Sequence, residues 1–216
     1  MSAAAALVAG FILGALPFSV WIARAHGVNL REQGSGNLGA TNVYRVIGWK
    51  QGLLALVLDA SKGTAAVLLA RFLAGDSSGL VPALAGLAAV AGHMFTPFAG
   101  FKGGKGVATG LGIFLGLAPW PALFALFVWI AVLSYSGWVS LASGAAALFL
   151  PVFVWLYRDT RPGEEAWTLA LAVLTAALVL VRHRPNWERI AAGREQAIWE
   201  KKRETPDHGA HEEHDA

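Results

Sequence analysis

The sequence predicts an all-α protein, a polytopic membrane helix bundle, and two observations predict it: the composition and the length of the apolar blocks. Of its 216 residues, 56% are hydrophobic and 14% are charged, and the mean hydropathy is +0.52. An ordinary soluble domain carries about 25% charged residues. Several apolar blocks approach the ~20 residues that a helix needs to cross the hydrocarbon core. We therefore expect residues 1–194 to form one membrane domain.

Six apolar blocks alternate with short polar segments. They run from Ala3 to Ala23, Gly52 to Leu73, Leu80 to Phe98, Val107 to Leu133, Trp138 to Tyr157 and Trp167 to Val181. The first block has no basic residue before it and is followed by Arg24, His26 and Arg31. This asymmetry predicts a retained first helix with its N-terminus outside, rather than a cleaved signal peptide.

The number of crossings follows from the positions of lysine and arginine, which favour the cytoplasmic side. One span for each of the six blocks would leave the basic cluster that begins at Arg182 outside. The fourth block is long and contains Pro119 and Pro121, so we expect two short spans there. That gives seven transmembrane helices and a cytoplasmic C-terminus. A single proline-kinked helix, with a re-entrant segment elsewhere, is the alternative.

Composition also excludes several kinds of site. The chain has no cysteine, which excludes disulfides, thiolate metal sites and transfer through a cysteine thioester. Its basic residues lie beside apolar runs, as in loops near anionic lipid, so no nucleic acid is expected. Residues 195–216 form a charged tail with His208, His211 and His214, which we expect to be disordered. No metal ion and no cofactor is predicted.

The first polar segment with a chemical signature is GSGNLGATNVYR, from Gly34 to Arg45. Its glycines allow backbone amides to approach an anion closely, and Arg45 adds a permanent positive charge. The neutral hydrogen-bonding residues are Ser35, Asn37, Thr41 and Asn42. The composition favours a cradle for phosphate or carboxylate over an ordinary flexible loop.

The second segment, from Gly92 to Gly110, contains a loop of glycine and lysine. Lys105 lies among Gly103, Gly104 and Gly106, and Val107 with Ala108 then begins an apolar run. Backbone amides and a helix N-terminus can jointly face a phosphate there. Gly106 follows the lysine where a Walker A loop has Ser or Thr, so no nucleotide hydrolysis is implied. His93 is as consistent with a structural hydrogen bond as with catalysis.

The third segment is VRHRPNWER, from Val181 to Arg189, at the end of the last apolar block. Its arginines alone would suit a snorkelling stop-transfer cluster, but His183 and Asn186 are not required by that interpretation. Asp59 and Lys62 inside the second block form an i, i+3 pair. The pair can be a structural link between helices, or Lys62 can meet a substrate phosphate.

In order and spacing, SGNLGATNVYR, GH...FKGGKGVATG and RHRPNWER resemble the motifs of the bacterial acyl-phosphate:glycerol-3-phosphate acyltransferases, the PlsY family. The resemblance covers Ala3 to about Ile190 and implies seven transmembrane helices and an acyl-phosphate donor. It implies catalytic roles for Ser35, Lys105, His183 and Asn186. Substrate binding is expected at Asn37, Thr41, Asn42, Arg45, Lys62, Gly103, Gly104, Gly106, Val107 and Ala108.

Two prolines depart from the pattern expected for that family. Pro97 stands one place later than expected after the Gly-His pair, and Pro185 replaces a usually acidic residue. The second departure puts in doubt the continuity of a helix through His183.

The expected reaction is acyl transfer from acyl phosphate to the 1-hydroxyl of glycerol 3-phosphate, which gives lysophosphatidic acid and phosphate. The expected partners are these two substrates and membrane lipids, with a monomer in the bacterial inner membrane and a site that faces the cytoplasm. We expect His183 to position the substrate while the donor phosphate helps to accept the proton. A transporter of organic phosphates and a lipid-phosphate phosphatase are the alternatives.

Overall fold

The computed structural model describes residues 2–74, 79–157 and 163–200, and within these ranges it is all-helical, as predicted. The three histidines predicted in the tail, His208, His211 and His214, lie outside the described residues. The helices are α1 Ala3–Ala15, α2 Phe18–Ala25, α3 Ala40–Val46, α4 Trp49–Ala74, α5 Leu80–Met94, α6 Val107–Leu117, α7 Pro119–Ser136, α8 Val139–Tyr157, α9 Glu165–Arg182 and α10 Arg184–Ala191, with a 3₁₀ turn at Pro97–Ala99.

Six segments of the described chain are long and apolar enough to cross a membrane. They are Ala3–Ala25, Trp49–Leu73, Leu80–Ala99, Pro119–Ser136, Val139–Tyr157 and Glu165–Arg182. Five of them correspond closely to five of the apolar blocks of the sequence, and Pro119–Ser136 is the second part of the fourth block.

The fourth apolar block forms two helices, as its prolines predicted. Ala118 leaves the helical conformation, with φ −145° and ψ 78°, and α7 begins at Pro119. Proline has no N–H to donate to a preceding carbonyl, which favours the end of α6 at this position. A single kinked helix is therefore wrong for this block. With 11 residues, α6 is ~16 Å long, about half of the ~30 Å hydrocarbon core.

The first apolar block is also interrupted, which the sequence analysis did not predict. α1 ends before Leu16 and Pro17, and α2 begins at Phe18. The Lys62 ammonium group on α4 donates a hydrogen bond of 2.8 Å to the Leu16 carbonyl oxygen. Lys62 therefore satisfies a backbone acceptor at the break, where lipid offers no donor.

Small residues allow the helices to pack closely around α4, α5 and α6. A Cβ atom added at Gly10 of α1 would lie 2.6 Å from the Ala85 carbonyl oxygen of α5. A Cβ atom at Gly63 of α4 would lie 3.0 Å from the Ile113 amide nitrogen of α6. Such backbone approach, which only glycine permits, is the usual means of helix association in lipid. It holds α6 inside the bundle, where Ile113 and Phe114 belong to the largest buried apolar cluster.

An ion pair links the helix ends that lie away from the polar loops. One Arg71 guanidinium nitrogen lies 2.5 Å from a Glu164 carboxylate oxygen, and the other donates to the Gly116 carbonyl oxygen at 2.5 Å. Arg71 is near the end of α4, Gly116 near the end of α6, and Glu164 immediately before α9. The pair therefore neutralises a buried charge. The hydrogen bond from Arg71 to Gly116 fixes the C-terminal end of the short helix α6.

Candidate active site

A cavity of about 380 Å³ lies at the end of the bundle where the three polar segments meet. Ten of the fourteen residues predicted for the site line it. They are Ser35, Asn37, Thr41, Arg45, Lys105, Gly106, Val107, Ala108, His183 and Asn186. Segments that are far apart in the sequence thus contribute to one pocket.

The first polar segment approaches the cavity as a turn followed by the short helix α3. Gly36 has φ +71°, a left-handed conformation that glycine adopts without strain. Asn42 stabilises the turn from the side away from the cavity. Its side-chain oxygen accepts a 2.8 Å hydrogen bond from the Ser35 amide. Its amide nitrogen donates to the carbonyl oxygens of Leu30 and Gln33, at 3.0 Å each. Asn42 is fully buried and absent from the cavity lining, so it holds Ser35 in place.

The second segment places a lysine and a helix N-terminus at the cavity. Pro97 begins the 3₁₀ turn, after which the loop leads to Gly106, which has φ +83° and precedes the first residue of α6. The Lys105 ammonium group donates a hydrogen bond to the Asn186 side-chain oxygen. Backbone amides at the start of α6 and the lysine charge therefore border the same space.

The sequence analysis assigned Gly103 and Gly104 to substrate binding. In the structure, both glycines have a packing role. A Cβ atom at Gly104 would lie 3.1 Å from His93 Cε1, and one at Gly103 would lie 3.0 Å from the Met94 carbonyl oxygen. Both glycines border a small neighbouring cavity and not the main one. They let the loop pack tightly on the end of α5.

Lys62 likewise borders the small cavity and faces structural partners. Its ammonium group lies 2.7 Å from an Asp59 carboxylate oxygen, in addition to its bond with Leu16. Ser19 donates to the other Asp59 oxygen at 3.2 Å, and His93 Nδ1 lies 3.7 Å from the first. Asp59 and His93 reach the main cavity, so this buried cluster forms part of its wall.

The third segment turns sharply at His183, where the helix is interrupted. α9 ends at Arg182, and α10 begins at Arg184 with Pro185 as its second residue. His183 Nδ1 lies 2.7 Å from the Val179 carbonyl oxygen and so carries the proton, which leaves Nε2 as an acceptor. Burial, reinforced by the charge of Lys105, lowers the pKa of His183 to about 4. The imidazole is therefore neutral at pH 7.

Glu195 is a site residue that the sequence analysis missed. Its carboxylate accepts hydrogen bonds from Ser140 at 2.8 Å, from the Asn186 amide nitrogen at 2.6 Å and from Arg189 at 2.7 Å. Burial opposes ionisation of Glu195, but these hydrogen bonds lower its pKa overall. By accepting from the Asn186 nitrogen, Glu195 turns the Asn186 oxygen towards Lys105.

Residues 195–200, assigned to the tail by the sequence analysis, pack against the bundle. Arg45 donates to the Gln196 carbonyl oxygen at 3.1 Å, and the Ile198 amide donates to the Gly137 carbonyl oxygen at 2.8 Å. The segment therefore connects α3 with the turn between α7 and α8. The described structure extends the membrane domain beyond the expected boundary at residue 194.

Positive charge dominates the polar end of the cavity. Burial, together with Arg189, Arg45 and Arg182, lowers the pKa of Lys105 to about 8, although Glu195 opposes this change. Burial also lowers the pKa of Arg45, but an arginine keeps its charge throughout the physiological range. A desolvated cluster of this kind binds phosphate groups, because their negative charge removes the repulsion among the cations.

The opposite end of the cavity is apolar and extends into the bundle. Its wall comes from α6, α7 and α8, and includes Leu111, Phe114, Ala122, Ala125, Leu126, Trp129, Ala146, Ala147 and Leu150. One pocket therefore offers a charged end at the polar loops and a hydrocarbon-like end among the helices.

Comparison with known proteins gives a consistent family assignment. The family described as glycerol-3-phosphate acyltransferase matches residues 4–193. The glycerol-3-phosphate acyltransferase of Geobacter sulfurreducens is 45% identical over 185 residues, covering 86% of this chain and 92% of the relative. That of a Synechococcus species is 47% identical over 200 residues, covering 90% and 94%.

The fold is similar to a solved structure as well. The crystal structure of PlsY, an integral membrane glycerol 3-phosphate acyltransferase, in its glycerol 3-phosphate form aligns with a TM-score of 0.84. It is 40% identical and covers 91% of this chain and 96% of that chain. The lysophosphatidic acid form aligns with a TM-score of 0.82 at 38% identity, covering 91% of this chain and 95% of that one.

Proposed function

The chain belongs to the glycerol-3-phosphate acyltransferase family, and we propose that it transfers an acyl group from acyl phosphate to the 1-hydroxyl of glycerol 3-phosphate. The products are 1-acyl-glycerol 3-phosphate and inorganic phosphate. The observation that carries the proposal is the two-ended cavity, with Arg45, Lys105 and Arg189 at one end and an apolar wall at the other. A phosphorylated substrate with an acyl chain has the same two-ended character.

The positively charged end binds the phosphates of both substrates. Arg45 presents a planar set of donors, Lys105 a compact charge, and α6 the amides of its first turn. Ser35, Asn37 and Thr41 supply neutral donors and acceptors on the facing segment. Two phosphates repel one another in solution. The main role of these side chains and amides is therefore to hold the two phosphates close together.

The chemical step requires little covalent assistance because phosphate is a good leaving group. The glycerol hydroxyl oxygen forms the new ester bond with the carbonyl carbon, while the bond between that carbon and the phosphate oxygen breaks. The hydroxyl proton passes to the departing phosphate, so that atoms and charge balance. Ser35 and Asn186 stabilise the carbonyl oxygen, and His183 orients the hydroxyl through its Nε2.

A bacterial inner membrane location with seven crossings fits the basic residues and the helix order. α6 starts beside Lys105, and the turn after α7 bonds to Ile198 next to the same cavity, so the chain reverses direction at Ala118. If α6 counts as a crossing, an outside N-terminus places all three polar segments and the C-terminus in the cytoplasm. Glycerol 3-phosphate then enters from the cytosol and the donor from the bilayer. We propose a monomer; one chain supplies every proposed group, so the site needs no residue from a second copy.

A reconstituted assay tests the function. Purified protein in detergent, given glycerol 3-phosphate and palmitoyl phosphate, should yield lysophosphatidic acid and inorganic phosphate in equal amounts, and palmitoyl-CoA should not replace the donor. Lys105→Ala and His183→Ala change residues at the charged end of the cavity. Lys50→Ala is their control, because Lys50 is exposed and lies outside the cavity. Uptake of glycerol 3-phosphate into proteoliposomes without ester formation would contradict the proposal and favour a transporter.

A further inference from the structure

Three helices contribute the deepest residues at the apolar end of the cavity. α6 and α8 run from the polar end into the bundle, so Phe114 and Leu150 are the deepest lining residues of each. α7 runs in the opposite direction, and its deepest lining residue is Ala122, close to the chain reversal at Ala118. All three belong to one buried apolar cluster, with exposed fractions of 1%, 1% and 7% for Phe114, Ala122 and Leu150.

The depth of this end is comparable with a long hydrocarbon chain. Ser140 lies at the polar end, where it bonds to Glu195, and Leu150 lies ten residues later on the same helix. Ten residues of α-helix rise ~15 Å. Between these two levels the cavity wall of α8 consists of Ser143, Ala146 and Ala147, which leave room for a chain beside them.

Small and large side chains are unevenly placed at this deep end of the cavity. Ala122 and Ala125 leave space along α7, whereas Phe114 and Leu150 fill it from the other two helices. Protein interiors are close-packed, so a donor chain that reaches these side chains can grow only if they move. A single additional methylene in a hydrophobic pocket changes selectivity by about tenfold or more.

We propose that Phe114, Ala122 and Leu150 form the floor of the acyl-chain channel and set the upper length of the donor chain. This inference rests on the proposed function, because it assigns a specificity role within the same cavity. The three residues act on chain length alone, since they lie at the end away from Lys105 and His183.

Substitution of the smallest floor residue is the direct test. In Ala122→Phe, kcat/KM for palmitoyl phosphate should fall at least tenfold relative to kcat/KM for decanoyl phosphate, which the shorter channel still accepts. Ala131→Phe is the matched control: Ala131 is an exposed residue of the same helix that does not line the cavity. Its ratio of the two kcat/KM values should equal that of the wild type.

A second variant changes the floor in the opposite direction and keeps the test decisive if Ala122→Phe fails to fold. Leu150→Ala should raise kcat/KM for stearoyl phosphate relative to palmitoyl phosphate by several-fold. Equal losses for all donors, or an unchanged ratio in either folded variant, would overturn the inference. If the wild type forms no lysophosphatidic acid from any acyl phosphate, the proposed function itself fails, and the two failures are thus distinguishable.

Discussion

The Lys105 ammonium group donates a hydrogen bond to the Asn186 side-chain oxygen, although 81 residues separate them. The Asn186 nitrogen donates in turn to Glu195, at 2.6 Å. The amide is therefore held in one orientation, between a cation and an anion, and it joins the glycine loop to the segment after α9.

We expect Asn186→Ala to reduce kcat/KM by roughly 10- to 100-fold, because a hydrogen bond to a charged group contributes about 1.5–3 kcal/mol. The loss should appear in KM for glycerol 3-phosphate as well as in kcat, since Lys105 would lose its fixed position. Steady-state kinetics at several concentrations of each substrate measure this. Unchanged kinetics in the folded variant would show that the amide has no role in the reaction.

The pH dependence of kcat/KM should report the charge on Lys105. Its pKa is lowered to about 8, so the free enzyme loses this cation as the pH rises through 8, and phosphate binding weakens above that value. In Lys105→Arg the charge persists, and the decline near pH 8 should disappear. The charged groups that act on Lys105 are Glu195, Arg189, Arg45 and Arg182.

Glu195→Gln should move the same decline to lower pH. The Glu195 carboxylate raises the pKa of Lys105, and its removal leaves only burial and the repulsion of neighbouring arginines. Glutamine keeps the size of the side chain and an oxygen that can accept from Asn186. A pH profile identical to that of the wild type would contradict the electrostatic role of Glu195, whatever its effect on stability.

The Arg71–Glu164 ion pair should matter for stability rather than for catalysis. Glu164→Ala leaves the Arg71 guanidinium buried without its anion, which costs about 3–5 kcal/mol. Thermal unfolding in detergent should show a clear fall in Tm, and Arg71→Met combined with Glu164→Leu should recover most of it. A Tm unaffected by Glu164→Ala would mean that water or lipid headgroups replace the carboxylate.

Glycine-mediated packing between α4 and α6 gives a matched pair of variants. A Cβ atom at Gly112 would lie 2.6 Å from the Ala60 carbonyl carbon, so Gly112→Ala forces the helices apart and should cost about 1–3 kcal/mol. At Gly110, two residues earlier, the nearest atom is Thr175 Cγ2 at 3.4 Å, an ordinary contact. Gly110→Ala should therefore retain a Tm close to that of the wild type. Equal Tm values for the two variants would disprove the packing argument.

The sequence predicted the helices well because lipid imposes simple requirements on length and polarity. The apolar blocks marked the spans, and Pro119 marked the break between α6 and α7. Pro17 has the same effect between α1 and α2, but the block from Ala3 to Ala23 has the length of one span, so no break was expected there. α3 was missed because its seven residues carry the polar pattern of a loop.

The candidate site was predictable as a set of residues, but their individual positions were not. Gly-rich and basic segments identified the lining of the charged end, including Ser35 and His183. Composition cannot separate a ligand from its support, so Asn42, which holds a turn, and Lys62, which bonds to Leu16, were grouped with the ligands. Glu195 was missed because its role depends on contacts with Ser140 and Asn186 that no spacing reveals.

Cysteine accessibility tests the central claim most directly, since the natural chain contains no cysteine. Gln33, Lys102 and Arg184 are exposed residues, one near each cavity-forming segment, and each can be replaced singly by cysteine. An impermeant maleimide should label all three in inverted membrane vesicles and none in intact cells. Labelling of any one from the opposite face would separate the segments across the membrane and contradict a shared pocket for the two phosphates.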